Sequence, residues 1–493
     1  MEKVEWEDVQ RLVLSGYPKL PFSAYLFWHF VPGETVAAKR WLGLLAGRLT
    51  CALVRGDNQA INLALTARGL DQIGIGASVL NSFSPEFLEG IAPKPIAAGP
   101  ARRSSILGDV GDSSPEFWDW GGWNGCRDID GMLLLYAPDK SALSALIDTE
   151  ISAMVGAAEP AQRQNGERII LEGRVYEDRK EHFGFRDGIS QPMIEGSPKA
   201  NRKRSRKASD PDEDKELSAD ERRIHLVKPG EFILGYKNER RTRIANVWGA
   251  RDGNGPEVRD IRRNGTYLVF RQLEQDVPAF NDFVSSAAKH VYGRADEPAR
   301  ERIAARLVGR TREGDPLIPV DRSPDTPPRN DFLYHFEDRF GMACPIGAHI
   351  RRANPRDTIG PDADTALRLS KMHRIIRRGR PYGERLDAAE GNPASQQGAR
   401  GISFIALNAD IAGQFEMIQH SWLNNTQFGG LHAGADPLGH FGCAGDVVTI
   451  QNRPTNYYID RPRPFVRVRG GAYFFLPGIE AVRALARPEL ASI

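Results

Sequence analysis

Residues 182–192 read HFGFRDGISQP and place one carboxylate, Asp187, directly before a glycine in a predicted turn. Gly184 and Gly188 let the backbone adopt positive φ and let another group approach it closely. Such a turn could hold the acid against a ligand, or it could be an ordinary turn. The motif is too short to decide between these alternatives, so the decision depends on the remainder of the chain.

The chain has 493 residues, 41% of them apolar, and exceeds the size at which a single hydrophobic core usually stops growing. Two domains are therefore the simplest expectation. The 66 Lys and Arg residues nearly balance the 64 Asp and Glu residues, which leaves a net charge of +2. A charge this small does not by itself indicate nucleic acid or a membrane as a partner.

The N-terminal sequence MEKVEWEDVQRL is acidic and lacks the apolar region of a secretory signal, and no later segment approaches 18 uninterrupted apolar residues. We therefore expect a soluble, cytoplasmic protein. The cysteines, Cys51, Cys126, Cys344 and Cys443, lie far apart without a C-x-x-C pair. This spacing favours buried thiols over a zinc site or a disulfide framework.

Segments with strand and helix periodicity alternate along the chain, which indicates an α+β fold. In the first half the predicted strands are 23–31, 59–66, 131–137 and 168–176, and the predicted helices are 35–49, 67–73 and 139–155. In the second half the predicted strands are 231–236, 266–272 and 401–407, the predicted helices are 276–292 and 411–423, and residues 465–476 form a predicted hairpin turning at Gly470 and Gly471. Two α+β halves that pack their sheets together are the economical architecture.

A strongly charged segment separates the two halves. We predict an N-terminal half at residues 1–197, a mobile insertion at 198–223 and a C-terminal half at 224–493. Within the insertion, NRKRSRK (201–207) is followed closely by DPDEDKE (210–216), and apolar residues are nearly absent. Because the acidic run neutralises most of the basic charge locally, a solvated insertion is favoured over a nucleic-acid-binding patch.

One histidine, His349, has unusual neighbours in the segment CPIGAHIRRANPRD (344–357). Small residues precede it, and the arginines that follow suit an anionic ligand that accepts bidentate hydrogen bonds, such as a carboxylate. A metal-ligating histidine beside such arginines describes haem, with iron at its centre and propionates at its edge. A purely structural histidine is the alternative. The chain has no H-E-x-x-H pair, which argues against a zinc hydrolase.

Five segments, taken in chain order, resemble those of the dye-decolorizing peroxidases, a family of haem b enzymes. GFRDG (184–188) matches the family's G-x-x-D-G signature, and CPIGAHIRRANPRD matches the segment with the proximal histidine. IIRRGRPYG (375–383), RGISFIALNADIAGQFEMIQHSW (400–422) and GADPLGH (434–440) are similar to the distal-arginine segment, the strand and helix after it, and an acidic loop. The resemblance implies two ferredoxin-like halves whose antiparallel sheets pack together, of the dimeric α+β barrel type, with haem held mainly by the second half.

On one side of the haem, the resemblance implies that His349 is the proximal ligand of the iron. Asp436 would accept the other ring N–H of His349, which fixes the tautomer and raises the basicity of the ligand. A turn residue before Pro437 is the alternative for Asp436. Arg351 would bind a haem propionate, with Arg352 as the alternative.

On the other side, the resemblance implies that Asp187 moves a proton from the inner to the outer oxygen of bound peroxide. Arg377 would supply a fixed positive charge to the polarising peroxide. Arg378 and Arg380 are the alternatives for this role, and the distance of Arg377 from the following Pro-Tyr-Gly favours Arg377.

The remaining cofactor contacts implied by the resemblance are apolar or backbone contacts. Gly188 and Ile189, at the end of the turn, would lie against the haem. Ile402 and Phe404 project to one face of a predicted strand, since they are two residues apart. They would wall the distal pocket, and core packing is the alternative.

The function implied is that of a peroxidase that reduces hydrogen peroxide through a ferryl intermediate and oxidises dyes, phenols or similar one-electron donors, with heme b (iron protoporphyrin IX) as cofactor. A haem-binding or haem-iron-handling protein without turnover is the alternative, but it would need neither Asp187 nor Arg377. We expect hydrogen peroxide and small aromatic or dye-like reductants as partners, and neither nucleic acid nor a membrane. The sequence is compatible with an oligomer and predicts neither the physiological reductant nor any aromatic residue that relays electrons.

Overall fold

A computed structural model describes residues 2–54, 56, 58–95, 102–126, 128–198, 200, 218–243, 260–319, 330–386, 398–442 and 446–487. The charged runs 201–207 and 210–216, and Cys443, lie outside the described residues. Within them, no helix combines the length and the apolar character needed to cross a bilayer.

The strands are β1 (Phe22–Phe30), β2 (Ala60–Leu65), β3 (Gly131–Ala137), β4 (Ala158–Pro160), β5 (Ile170–Arg174), β6 (Met193–Ile194), β7 (Leu226–Val227), β8 (Thr266–Gln275), β9 (Ile376–Arg377), β10 (Arg380–Tyr382), β11 (Gly401–Asn408), β12 (Asp446–Ile450), β13 (Tyr457–Arg461) and β14 (Val466–Leu476). The helices are α1 (Thr35–Ala46), α2 (Ala67–Gln72), α3 (Ala77–Leu80), α4 (Pro85–Glu89), α5 (Arg102–Leu107), α6 (Lys140–Ala153), α7 (Ala219–His225), α8 (Val277–Tyr292), α9 (Glu297–Val308), α10 (His349–Ala353), α11 (Ala363–Lys371) and α12 (Ile479–Leu485).

Each half of the chain forms an antiparallel sheet. The N-terminal sheet has the order β4-β1-β3-β2, and β5 also pairs with β1. The C-terminal sheet has the order β14-β8-β11-β10, and β9 also pairs with β11. A single residue pair, Phe475 with Leu65, joins β14 to β2, so the two sheets meet along one edge.

Aromatic side chains also pack between the faces of the two sheets. The ring centroid of Phe27 in β1 lies 5.4 Å from that of Phe270 in β8 and 6.2 Å from that of Phe474 in β14. The Tyr25 ring lies 5.0 Å from Phe270. The predicted α+β class, with two antiparallel sheets packed together, is therefore confirmed, and the described strands do not close into a barrel.

One predicted strand, residues 231–236, is wrong. Its apolar residues are buried, as the sequence EFILGY indicates, but the backbone is irregular. Pro229 begins a 3-10 turn (Pro229–Glu231), and the N–H of Ile233 donates to the Pro229 carbonyl. The preceding Pro-Gly pair therefore makes a turn where the apolar run predicted an extended strand.

The predicted hairpin at 465–476 is also wrong, because β14 is one continuous strand. Its pairing register with β8 shifts between Val468 and Gly470, as at a β-bulge. A Cβ atom at Gly470 would clash with the Trp120 indole, whose Nε1 donates a hydrogen bond to Gln272 Oε1 at 2.7 Å. Gly470 thus permits close packing instead of a turn.

Two further segments differ in detail from the prediction. The residues of the predicted helix 411–423 form two π-helical stretches, Ile411–Glu416 and Ile418–Leu423. Helix α7 begins inside the predicted insertion, where Ser218 and Glu221 form a capping box. The proposed domain limits stay a prediction.

Candidate active site

A cavity of about 290 Å³, measured as the space open to the centres of water molecules, lies in the C-terminal half against the turn at 182–192. One water needs about 10–15 Å³ by the same measure, so the cavity has room for a large organic group. Asp187, Arg377 and His349 all line it. Three distant sequence motifs therefore meet at one place.

His349 is the first residue of α10 and forms a pair with Asp436. The imidazole Nδ1 lies 3.0 Å from Asp436 Oδ1 and 3.1 Å from Oδ2. Asp436 is fully buried, and the backbone N–H groups of Leu438 and Gly439 donate to its Oδ1 at 2.9 and 2.5 Å. The carboxylate is thus fixed, and it orients the imidazole ring.

The charges of this pair support each other. Burial acts to lower the pKa of His349, but the Asp436 carboxylate outweighs it and the pKa is raised. Burial likewise acts to raise the pKa of Asp436, but His349 outweighs it and the pKa is lowered. In the neutral imidazole, Nδ1–H donates to the Asp436 carboxylate, and Nε2 is the nitrogen with a free lone pair.

Nε2 of His349 is suited to a metal that is held mainly by something other than protein. The imidazole is 30% exposed and borders the cavity, and no residue in the described part of the chain hydrogen-bonds to Nε2. The described residues contain no group of three or more His, Cys, Asp or Glu that could hold a metal ion. A single imidazole beside a large cavity fits haem, whose macrocycle supplies the other nitrogen ligands of the iron.

Asp187 and Arg377 form an ion pair at the cavity. Arg377 Nη1 lies 3.2 Å from Asp187 Oδ1, and the side chains are 33% and 45% exposed, respectively. The Gly188 N–H donates to the same oxygen at 2.6 Å. Gln191 fixes the arginine backbone from both sides, since its Oε1 accepts from Arg377 N and its Nε2 donates to Arg377 O.

The conformation of the turn explains its glycines. Gly184 and Gly188 have φ of +86° and +81°, which a residue with a Cβ rarely adopts. A Cβ at Gly184 would also meet the guanidinium of Arg312, whereas none of the described atoms lies near the Cβ position of Gly188. The positive φ at Gly188 sets the direction in which the chain leaves the turn after Asp187.

The structure places most of the predicted apolar and backbone contacts at the cavity. Gly188 and Ile189 line it after the turn, and Ile402 and Phe404 line it from one face of β11. The π-helical stretches contribute side chains that the sequence did not suggest, including Phe415 and Ile418. Asp436 stands behind His349 and does not itself line the cavity.

Arg351 is not at the cavity, contrary to the prediction. Its Nη1 donates to Cys344 O at 2.8 Å and lies 3.2 Å from Asp338 Oδ2, and its Nη2 donates to Arg339 O. The alternative, Arg352, is equally occupied, since it donates to three backbone carbonyls. Both side chains hold loops around α10 in place, and neither lines the cavity.

Several other arginines line the cavity instead, and three of them are Arg310, Arg356 and Arg374. Burial and the charge of Arg356 lower the pKa of Arg310 to about 10 and that of Arg374 to about 9. Nε of Arg374 is buried and has no hydrogen-bond partner among the residues described. Concentrated positive charge of this kind fits the propionates of haem.

Sequence reasoning could have found only one of these three arginines. Arg356 lies in the same segment as His349, and its backbone turns back towards the cavity with φ of +55°. Arg310 and Arg374 belong to no motif, and they meet Arg356 only through the fold. Arg271 was also missed, although it lines the cavity from β8 and pairs with Asp109.

The chain is similar to known proteins over nearly its whole length. No family model matches the chain. The chain is 30% identical to a dye-decolorizing peroxidase of Auricularia auricula-judae, over 97% of this chain and 86% of that protein. It is 29% identical to a dye-decolorizing peroxidase of Mycena epipterygia, over 98% of this chain and 88% of that protein.

A solved structure shows the same fold. The crystal structure of a DyP-type peroxidase from Anabaena superposes with a TM-score of 0.72 at 22% identity, covering 97% of this chain and 94% of the other. The near full-length match to a relative at 30% identity shows membership of a family, which likeness of fold alone does not. The chain belongs to the dye-decolorizing peroxidase family.

Proposed function

We propose that this protein is a peroxidase that uses haem b, bound through His349, to reduce hydrogen peroxide and to oxidise dyes or phenols. Dye-decolorizing peroxidases are haem-dependent oxidoreductases, and membership of the family supports this activity. One observation carries the assignment of residues: the His349–Asp436 pair and the Asp187–Arg377 pair border a single cavity.

Haem b is proposed because the cofactor has to be held without covalent bonds. Covalent attachment of haem c uses a C-x-x-C-H motif, and the four cysteines of this chain form no such motif. When bound, the haem supplies the iron at which peroxide is reduced and stores the two oxidising equivalents that are returned to electron donors. Arg310, Arg356 and Arg374 would hold its propionates.

On the His349 wall, the protein controls the tautomer of the imidazole. Asp436 accepts the Nδ1–H, which directs the Nε2 lone pair to the iron and raises its basicity. The buried carboxylate also keeps the ring from rotating.

On the other wall, Asp187 moves a proton. Its Oδ1 receives the N–H of Gly188 and the guanidinium of Arg377, while Oδ2 has no hydrogen bond to any described residue. Oδ2 can therefore take the proton from one peroxide oxygen and return it to the other, which leaves as water. With two electrons and two protons, one hydrogen peroxide gives two water molecules.

Arg377 and the apolar residues complete the environment. The guanidinium stabilises the negative charge that develops on the departing oxygen. The Gln191 contacts fix the backbone from which the Arg377 side chain extends. Ile402 and Phe404 reduce the number of waters beside the reacting oxygens.

The first experiment tests the iron ligand. Protein purified with haem should show a Soret band, and His349→Ala should lose or shift that band and lose dye oxidation. His432→Ala, at an exposed histidine, serves as the matched control and should behave as wild type. An unchanged spectrum in His349→Ala would refute the assignment.

The alternative, a haem carrier without turnover, is disfavoured by the Asp187–Arg377 pair, for which transport has no use. Rapid mixing with hydrogen peroxide distinguishes the two, because a carrier would react slowly and would not oxidise dyes. A cytoplasmic location, the oligomeric state and the lack of nucleic-acid binding stay predictions.

A further inference from the structure

Glu181 is a buried acid at the base of the turn that carries Asp187. Its side chain is only 9% exposed, and it borders the cavity. No motif in the sequence singled it out. A buried carboxylate needs hydrogen-bond donors or a charge partner to stay ionised, so its contacts indicate what it does.

The carboxylate of Glu181 lies inside the turn. The N–H of Phe183 donates to Oε2 and the N–H of Phe185 donates to Oε1, each at 2.9 Å. The backbone closes the same loop, since Glu181 N donates to Phe185 O and Gly184 N donates to Glu181 O. The side chain therefore fixes the backbone at Phe183 and Phe185, just before Asp187.

A third donor ties the turn to the sheet. Gln275, at the end of β8, donates from Nε2 to Oε2 of Glu181 at 2.5 Å. The same strand carries Leu273, which also lines the cavity. Glu181 thus sets the position of the turn relative to the wall of the cavity, as well as its internal shape.

The charge of Asp187 acts on Glu181. Burial raises the pKa of Glu181, and the negative charge of Asp187 adds to this effect. Three N–H groups donate to the two oxygens of Glu181, an arrangement that suits the carboxylate. The two acids therefore belong to the same turn, and only Asp187 is substantially exposed.

We propose that Glu181 is a positioning residue for the peroxide reaction: it holds the turn that presents Asp187 to the cavity. This inference rests on the proposed function, in which Asp187 moves the proton. It predicts that Glu181 acts only through Asp187.

The test uses Glu181→Gln in the haem-loaded protein. Glutamine keeps the size but turns one acceptor into an NH₂ group that opposes an N–H donor. The rate constant for reaction with hydrogen peroxide should fall about 10- to 100-fold, as expected when a reacting group is displaced by about 1 Å. The rate constant for dye oxidation, measured separately, should stay at the wild-type value. Amide hydrogen exchange at Phe183 and Phe185 should become faster.

The decisive comparison is made in an Asp187→Asn background. Because Glu181 acts through Asp187, adding Glu181→Gln to Asp187→Asn should cause no further loss. Glu177→Gln, at an exposed acid four residues earlier, is the matched control and should change nothing. Should Glu181→Gln not yield folded protein, Gln275→Leu removes one donor and should give a smaller loss of the same kind.

Two outcomes would overturn the proposal. One is a wild-type peroxide rate in Glu181→Gln, and the other is an equal fall in both backgrounds, which would indicate a general structural effect. A wild-type rate in Asp187→Asn itself would instead overturn the proposed function, so the two failures are distinguishable.

Discussion

The two walls of the cavity hold their acids in opposite ways. Asp436 is fully buried, receives two backbone N–H groups and contacts the cavity only through His349. Asp187 is 45% exposed and lies on a glycine-flanked turn, where Arg377 and Gly188 N–H bind one of its oxygens. An acid that tunes a ligand benefits from a fixed, dry position, whereas an acid that exchanges a proton with a substrate needs an accessible oxygen.

The largest expected effect is on the turn side. Asp187→Asn keeps the shape but removes the proton acceptor, so the rate constant for the reaction with peroxide should fall by about 10²- to 10⁴-fold. Haem affinity should not change, because Asp187 does not hold the iron. Stopped-flow absorbance and a haem titration measure the two quantities, and Asp282→Asn on α8 is an exposed control. Loss of haem affinity in Asp187→Asn would contradict the assignment of haem binding to His349 and Asp436 and of proton transfer to Asp187.

The stability of the protein should also depend on pH through a histidine of the turn, His182. His182 is 9% exposed, and its Nε2 lies 2.7 Å from the Tyr382 carbonyl. Burial, together with nearby arginines, lowers its pKa from 6.5 to about 4. The folded state binds a proton at His182 more weakly than the unfolded state does. The contribution of neutral His182 to the free energy of unfolding is therefore complete above pH 6.5 and is lost as the pH falls towards 4.

This loss should reach about 3 kcal/mol, at 1.4 kcal/mol for each unit of pKa difference. The free energy of unfolding, measured by denaturant titration between pH 7 and 4, gives the value. His182→Gln keeps an N–H donor without the titration and should show a correspondingly smaller decline. Parallel declines in both proteins would show that other groups are responsible.

The His349 side of the cavity can be tested through Asp436→Asn. The Nδ1 of His349 contacts both oxygens of the Asp436 carboxylate, whereas an asparagine amide has only one oxygen and no charge. The ring should therefore be less well oriented, and Nε2 should be less basic. Haem affinity should fall about 10- to 100-fold, the range found when the hydrogen-bond partner of a metal-ligating histidine is removed. Absorbance titration of the haem-free protein measures this, with the exposed Asp148→Asn as control. An unchanged affinity would mean that the carboxylate contributes nothing beyond packing.

Local patterns predicted the elements of the site better than they predicted its assembly. Strand periodicity correctly placed Ile402 and Phe404 on one face of β11, and both line the cavity. Arg351 was misassigned because adjacency to His349 in sequence says nothing about which face of a one-turn helix meets the cavity. The guanidinium instead lies near Asp338, which belongs to no motif.

Contacts between distant segments set the remaining features. Glu181 meets Gln275 across 94 positions of sequence, so no local pattern could indicate that the pair shapes the turn. At Gly470 the glycine indicated a special backbone position, but only the packing of Trp120 shows that it allows a close approach instead of a turn.

The smallest expected effect concerns Gly470 on β14, next to the strand β8 that contributes residues to the cavity. Gly470→Ala would push a methyl group into the Trp120 indole and disturb its hydrogen bond to Gln272, the neighbour of Arg271 and Leu273 on β8. Overpacking of this kind should lower the free energy of unfolding by about 1–2 kcal/mol. Gly398→Ala has no described atom within 4 Å of its Cβ position and serves as the control. Because Gln272 projects to the other face of β8 from the cavity residues, haem affinity and the peroxide rate constant should both stay at the wild-type value. A selective fall in either one would show that the two walls are coupled through this strand.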